Sequence, residues 1–336
     1  MLFQLTGRAG LRRGPRHLLR RFDSLGLGWA AGTGLIYFAA AWLSLQFAAP
    51  QGVSPFWPAA GVAVGGLLSS SGPRLPVAAA VAAASFLANW FDGRAAPVSI
   101  AFALGNMGEA LTVAAFAGRW INQPLELDRL KSVLALFAAV ALGTVTWEAA
   151  NAAVLSLTSP GIAEFSRVWG LLVWANLTGI ITVAPVVMGL AAAARKPPPS
   201  RLIVEGSAVL IIHALASAYA FGLLPFEFAR WMQIAPLASQ LPILLWLAVR
   251  CGPLFAAAGS LVLGIAIFRS FSVHNYYFAK PGFPESDQLF SMHFAMLAVS
   301  FAALTIAALI AERRNAEIMA RRSEARLKLS RDAGNF

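Results

Sequence analysis

Long apolar runs alternate with short polar breaks along this chain. Ten runs stand out, at 27–48, 56–71, 75–91, 97–120, 131–157, 167–193, 202–223, 235–249, 253–271 and 289–311. A bilayer core about 30 Å thick needs roughly 20 apolar residues per helix. The runs at 56–71, 75–91 and 235–249 fall short of that and are expected to be tilted, broken or re-entrant. The others are rich in Ala, Leu, Gly and Val. Small residues four apart, such as Ala101 and Gly105, suit close contact between helices in lipid. The pattern predicts an all-α protein, a polytopic transmembrane helix bundle of about 8–10 membrane segments.

Two breaks organise the runs. Lys196-Pro197-Pro198-Pro199 cannot continue a helix and separates a front block of six runs from a rear block of four. The stretch at 272–288, with His274, Lys280, Glu285 and Asp287, is the longest external connection, and its Pro and Gly make it a loop. No internal repeat is evident.

Composition agrees with a lipid setting. Apolar residues make up 58% of the 336 and charged ones 12%, against about 25% charged in an ordinary soluble domain. So few polar groups cannot cover a water-facing surface. The net charge of +11 does not point to nucleic acid, because the basic residues flank the apolar runs. Threading ten spans from a cytoplasmic amino terminus puts 21 of the 26 Lys and Arg on the cytoplasmic side and leaves Arg94, Arg167, Arg230, Arg269 and Lys280 outside. Both termini are therefore expected to be cytoplasmic, in a multi-pass protein of the bacterial inner membrane. Residues 1–24, with six arginines, read as a basic tail before an uncleaved first helix. The lone Cys251 excludes an intrachain disulfide.

The most specific motif is Ser54-Pro55-Phe56-Trp57-Pro58-Ala59-Ala60-Gly61, an aromatic pair between prolines at the entrance of the second run. Proline at such a place fixes the loop and starts the helix. Further along come Phe86-Leu87-Ala88-Asn89, Gly105-Asn106-Met107-Gly108-Glu109-Ala110 and Leu127-Asp128-Arg129-Leu130. Trp174, Gly179 and Pro185 share one run, and Leu245-Trp246-Leu247-Ala248-Val249-Arg250-Cys251-Gly252-Pro253 and Ala311-Glu312-Arg313-Arg314 close the series. Taken in order, these motifs resemble the bacterial membrane-associated sensor domain of the first type, the MASE-one family, over roughly 25–315. The resemblance implies a sensory input domain, with Pro55, Pro58, Gly61, Gly179, Pro185, Arg250 and Pro253 as its structural positions. It also implies a PAS-like linker and then a diguanylate cyclase, a cyclic-di-GMP phosphodiesterase or a histidine kinase of a two-component system. One position departs from the pattern: Asn176 stands where the family commonly has an aspartate, so a cation- or proton-binding step that used that carboxylate is expected to be lost.

Ionisable groups inside lipid are costly and are functional candidates by default. Glu109 lies near the middle of its run, and Glu148 lies about 6 Å to the outer side of the centre of its own. Asn106 and Glu109 are three apart, as are Glu148 and Asn151, so each pair shares a helix face. With Trp57, Asn89, Trp174 and Asn176, these residues are expected to converge on a ligand pocket in the outer half of the bilayer. The opposing reading is that they hold the bundle together by interhelical hydrogen bonds. Either carboxyl, if unpartnered, is a candidate proton acceptor. His213 and His293 lie apart, without metal-like spacing, and read as packing or hydrogen-bonding residues. Arg250, Gly252 and Pro253 read as a cytoplasmic cap and turn.

The last run enters the tail without a breaker. Positions 311, 315, 318, 322, 325 and 329 follow four–three spacing and form a weak heptad, which reads either as the seam of a parallel homodimer or as a solvated charged or disordered tail. The expected domains are a tail at 1–24, a sensor at 25–311 and a signalling-helix linker at 312–336, truncated before its output. No nucleophile motif, phosphate loop or clustered His and Asp appears, so neither an enzyme, a metal site nor a cofactor is expected. The expected partners are the bilayer and a small ligand or membrane protein. A secondary transporter or solute-binding membrane protein is the rival, although transporters usually show inverted repeats.

Overall fold

The computed structural model describes residues 24–47, 53–120, 126–158, 164–224, 230–272 and 285–333. The basic amino-terminal tail and most of the 272–288 loop, with His274 and Lys280, lie outside them.

The described residues form helices and no strand. They are α1 (Ser24–Leu45), α2 (Pro58–Ser69), α3 (Leu75–Phe91), α4 (Ala96–Trp120), α5 (Leu130–Thr158), α6 (Phe165–Arg195), α7 (Ser200–Ala220), α8 (Arg230–Trp246), α9 (Pro253–Ser272) and α10 (Glu285–Ala333). Each corresponds to one apolar run. Seven are long and apolar enough to cross a membrane. Large apolar side chains stand exposed on the outside of the bundle, among them Leu35 at 72%, Leu75 at 74% and Phe294 at 70%. A water-soluble monomer rarely shows such a surface, and lipid is the solvent that accommodates it. The chain is a multi-pass membrane protein.

The short runs resolve differently. α8 continues through a π-helical turn at Leu247–Cys251, which lengthens it. Gly252 N–H donates to Leu247 O at 3.0 Å, and Gly252 takes φ 86°, a conformation open to glycine. Pro253 then starts α9 at a position where its missing N–H costs nothing. α2, by contrast, has only 12 residues, about 18 Å of helix. Every residue from Ala59 to Ser69 is buried, so α2 is a half-length helix enclosed by its neighbours. The non-helical backbone that precedes it is tolerated at this depth because Val53, Ser54, Phe56 and Trp57 are buried in protein.

Glycines set the closeness of packing around α2. Trp57 N–H donates to Ala175 O of α6 at 3.2 Å. A Cβ on Gly179 would lie 2.0 Å from Trp57 O, and one on Gly61 would lie 2.4 Å from Gly179 O. Backbone therefore meets backbone at the SPFWPAAG motif, which gives Gly61 and Gly179 their physical reason. On another face, Gly66 receives the Thr33 side chain and accepts a hydrogen bond from Trp29 Nε1 at 3.0 Å, drawing in α1.

α1, α3, α4 and α6 surround α2, α5 packs on α4 and α6, and α7, α8 and α10 assemble around α9. The proline linker divides the chain but not the bundle, because α6 packs against both α9 and α10. On α10, burial ends near Ala311, and residues 312–327 are all exposed.

Candidate functional site

α4 and α5 lie antiparallel with glycine at the crossing. Gly105 faces the Asn151 amide and Gly108 the Trp147 ring, each too close to admit a Cβ. That proximity forms a buried polar seam. Thr144 Oγ1 donates to Glu109 Oε1 at 2.6 Å, Asn151 Nδ2 donates to Glu148 Oε2 at 3.1 Å, and Asn106 Nδ2 donates to Ser85 Oγ of α3 at 2.9 Å. The two carboxyls lie close enough to interact electrostatically. Tyr37 of α1 is buried beside Ser85 and Trp57. Contrary to the unpartnered reading, each carboxyl receives one hydrogen bond. Glu148 Oε1 and Asn176 Oδ1 remain buried without a hydrogen-bond partner among the described residues.

Those two residues line a cavity of about 30 Å³. Space of this size holds about one or two waters. Trp57, Asn89, Asn106, Glu148 and Asn176 line it, with Ser54 and Arg94 beside them. Three expected members do not line it. Glu109 turns to Thr144, and Asn151 packs against Gly105. Trp174 faces the other side of α6, with its ring 6.1 Å from His293 and 6.0 Å from Phe290 of α10.

Sequence reasoning placed Arg94 among external charges and missed it here. α3 ends in a Schellman turn: Gly93, at φ 89°, donates to Trp90 O, and Arg94 N–H donates back to Asn89 O. That reversal brings Arg94 over the cavity, with its guanidinium carbon 5.0 Å from the Phe102 ring centre and Nε 3.9 Å from Asp92 Oδ2. Burial pulls Arg94 below its ordinary range against the attraction of Asp92, and burial raises Asp92 against that of Arg94. The glycine just past Asn89-Trp90-Phe91-Asp92 was the legible signal.

The family model of the membrane-associated sensor domain MASE1 matches residues 29–314. The chain belongs to the MASE1 family. MASE1 is a membrane-associated sensor domain of signalling proteins, so the chain has a general sensory role. No curated protein and no solved structure matches the chain.

Two features of this MASE1 domain bear on how α10 is held. Near the cavity end, Thr178 Oγ1 and His293 Nδ1 of α10 share a hydrogen bond at 2.8 Å. Toward the other end, α10 is clasped where it leaves the bundle. Leu130 N–H donates to Glu312 Oε2 at 3.2 Å, Asn315 Nδ2 donates to Asp128 Oδ2 at 3.0 Å, and Arg314 Nη2 donates to Val249 O at 2.7 Å. Arg250 does more than cap a turn: it forms a two-point ion pair with Glu205 at 3.0 and 3.3 Å.

Proposed function

We propose that the chain is the sensory input domain of a bacterial signal-transduction protein, that a proton or small cation entering the cavity is its stimulus, and that α6 relays the change to α10. The observation that carries this reading is the division of α6 between two partners. Asn176 lines the cavity, while Trp174 and Thr178, two residues to either side, contact His293 of α10. The unpaired oxygens of Glu148 and Asn176 are acceptors suited to a donor or a cation. A metabolite needs a far larger space than this cavity offers.

The positive-inside rule assigns the clasped end to the cytoplasm, which turns the cavity toward the periplasm. In this reading 1–24 is a cytoplasmic tail, 25–311 the sensor and 312–336 a PAS-like linker to a cyclase, phosphodiesterase or kinase output. Ile318 and Leu329 are exposed at 49% and 70%, and two copies pair through that stripe.

The test is hydrogen exchange of the full chain in proteoliposomes while external pH or sodium is stepped. Protection at 128–132 and 310–318 is expected to change in the parent and not in Glu148→Gln. A response that survives in Glu148→Gln, or none in the parent, refutes the proposal. A second reading, a secondary transporter, is favoured by half-length α2 and the unwound backbone before it. Net ion flux down the imposed gradient in the same vesicles would select it.

A further inference from the structure

A different cleft, at the clasped end, gathers an excess of positive charge. Arg201 in the first turn of α7, Arg250 in the π turn and Arg314 of α10 line it with Pro199, Leu202 and Glu205, around about 330 Å³. Three guanidinium groups face one carboxylate. Glu205 is engaged by Arg250, and Trp246 Nε1 donates to the same carboxylate at 3.2 Å. The Arg250 guanidinium carbon lies 5.7 Å from the Trp246 ring centre, and Arg314 is fixed by the Val249 carbonyl. Two of the three arginines are thus oriented before anything binds. Each guanidinium carries five donors, and the bonds named use two from Arg250 and one from Arg314.

The surface beside the cleft is apolar. Val204 at 69% exposure on α7, and Leu241 at 67%, Leu245 at 48% and Trp246 at 51% on α8, face outward. A soluble phosphate would use the arginines but not these neighbours. A molecule with an anionic head and acyl chains uses both, because basic pockets between helices hold headgroups at the inner membrane face. We infer that the cleft formed by Arg201, Arg250 and Arg314 binds the phosphate headgroup of an anionic phospholipid, whose chains lie along Val204, Leu241 and Leu245. Bound there, the lipid ties α7 and the π turn to α10 just outside the buried part of the bundle. The clasp is then tighter in a membrane rich in anionic lipid, whatever stimulus acts at the cavity.

Native mass spectrometry of the detergent-solubilised full chain, titrated with phosphatidylglycerol or phosphatidylcholine, tests this. Phosphatidylglycerol is expected to bind and phosphatidylcholine not to. Each arginine near a membrane surface contributes about fivefold in affinity, so Arg201→Gln should weaken binding by about that factor and Arg201→Gln/Arg314→Gln by roughly thirtyfold. Arg250 is left in place because it holds Glu205. Equal binding of the two lipids, or an unchanged titration in the double variant, overturns the site. Full displacement of phosphatidylglycerol by inorganic phosphate overturns the lipid assignment in favour of a soluble anion.

Discussion

Gly179→Ala is the most direct probe of how the half-length helix is seated. The added methyl would stand 2.0 Å from the Trp57 carbonyl oxygen and 2.5 Å from its carbon. Carbon contacts settle near 3.5 Å, so the 53–57 backbone must retreat by about 1 Å or more. Overpacking of this kind costs about 1–3 kcal/mol. The Trp57 N–H bond to Ala175 O is strained or lost with it, adding about 0.5–1.5 kcal/mol. The expected destabilisation is about 1.5–4.5 kcal/mol. Gly170 lies in the same helix, and a methyl added there would meet nothing within 4 Å, so Gly170→Ala should be neutral or stabilise by up to about 1 kcal/mol. Thermal unfolding in nanodiscs, followed by near-ultraviolet circular dichroism, compares them. Because Gly61 and Gly179 meet at one contact, Gly61→Ala/Gly179→Ala should cost less than the two single changes together. Equal melting temperatures for Gly170→Ala and Gly179→Ala would refute the account of backbone docking.

Other outcomes follow from the same contacts. Thr144→Val removes the hydroxyl donor of Glu109 and should cost about 0.6 kcal/mol, the average for interhelical hydrogen bonds in lipid, and no more than about 1.7 kcal/mol, measured by unfolding in mixed micelles. Glu312→Ala should raise hydrogen exchange of the Leu130 amide about two- to tenfold, since that amide loses its acceptor. Asp92 holds its proton more firmly folded than unfolded, so its contribution to stability falls as pH rises from its ordinary value near 3.8 toward its raised folded value. Asp92→Asn should flatten that part of a melting-temperature profile against pH, by a modest amount for a partly exposed group.

The helices were legible because in lipid an apolar run is itself the physical requirement for a span. The family was legible in motifs whose glycines and prolines answer to backbone geometry, as Gly61, Gly179, Gly252 and Pro253 do. The site was legible only in part. Spacing put Glu148 and Asn151 on one face, and their hydrogen bond agrees. Spacing could not say which side of α6 Trp174 takes, because α6 has protein on several sides. Nor could it find Arg94, whose position depends on a single left-handed residue, Gly93. Tyr37 and Ser85 carry no charge and no motif, so nothing marked them as members of the polar seam.

The 49 residues of α10 include neither glycine nor proline, and sharp kinks arise mostly at those residues. About 33 Å of it, from Glu312 to Ala333, extends past the point where burial stops. Without a joint, such a rod delivers an axial twist undiminished to its far tip and magnifies any lean in proportion to its overhang. In the proposed relay, a displacement at His293 too small to reshape the bundle would become, at Ala333, a change of position that a second rod alongside would register.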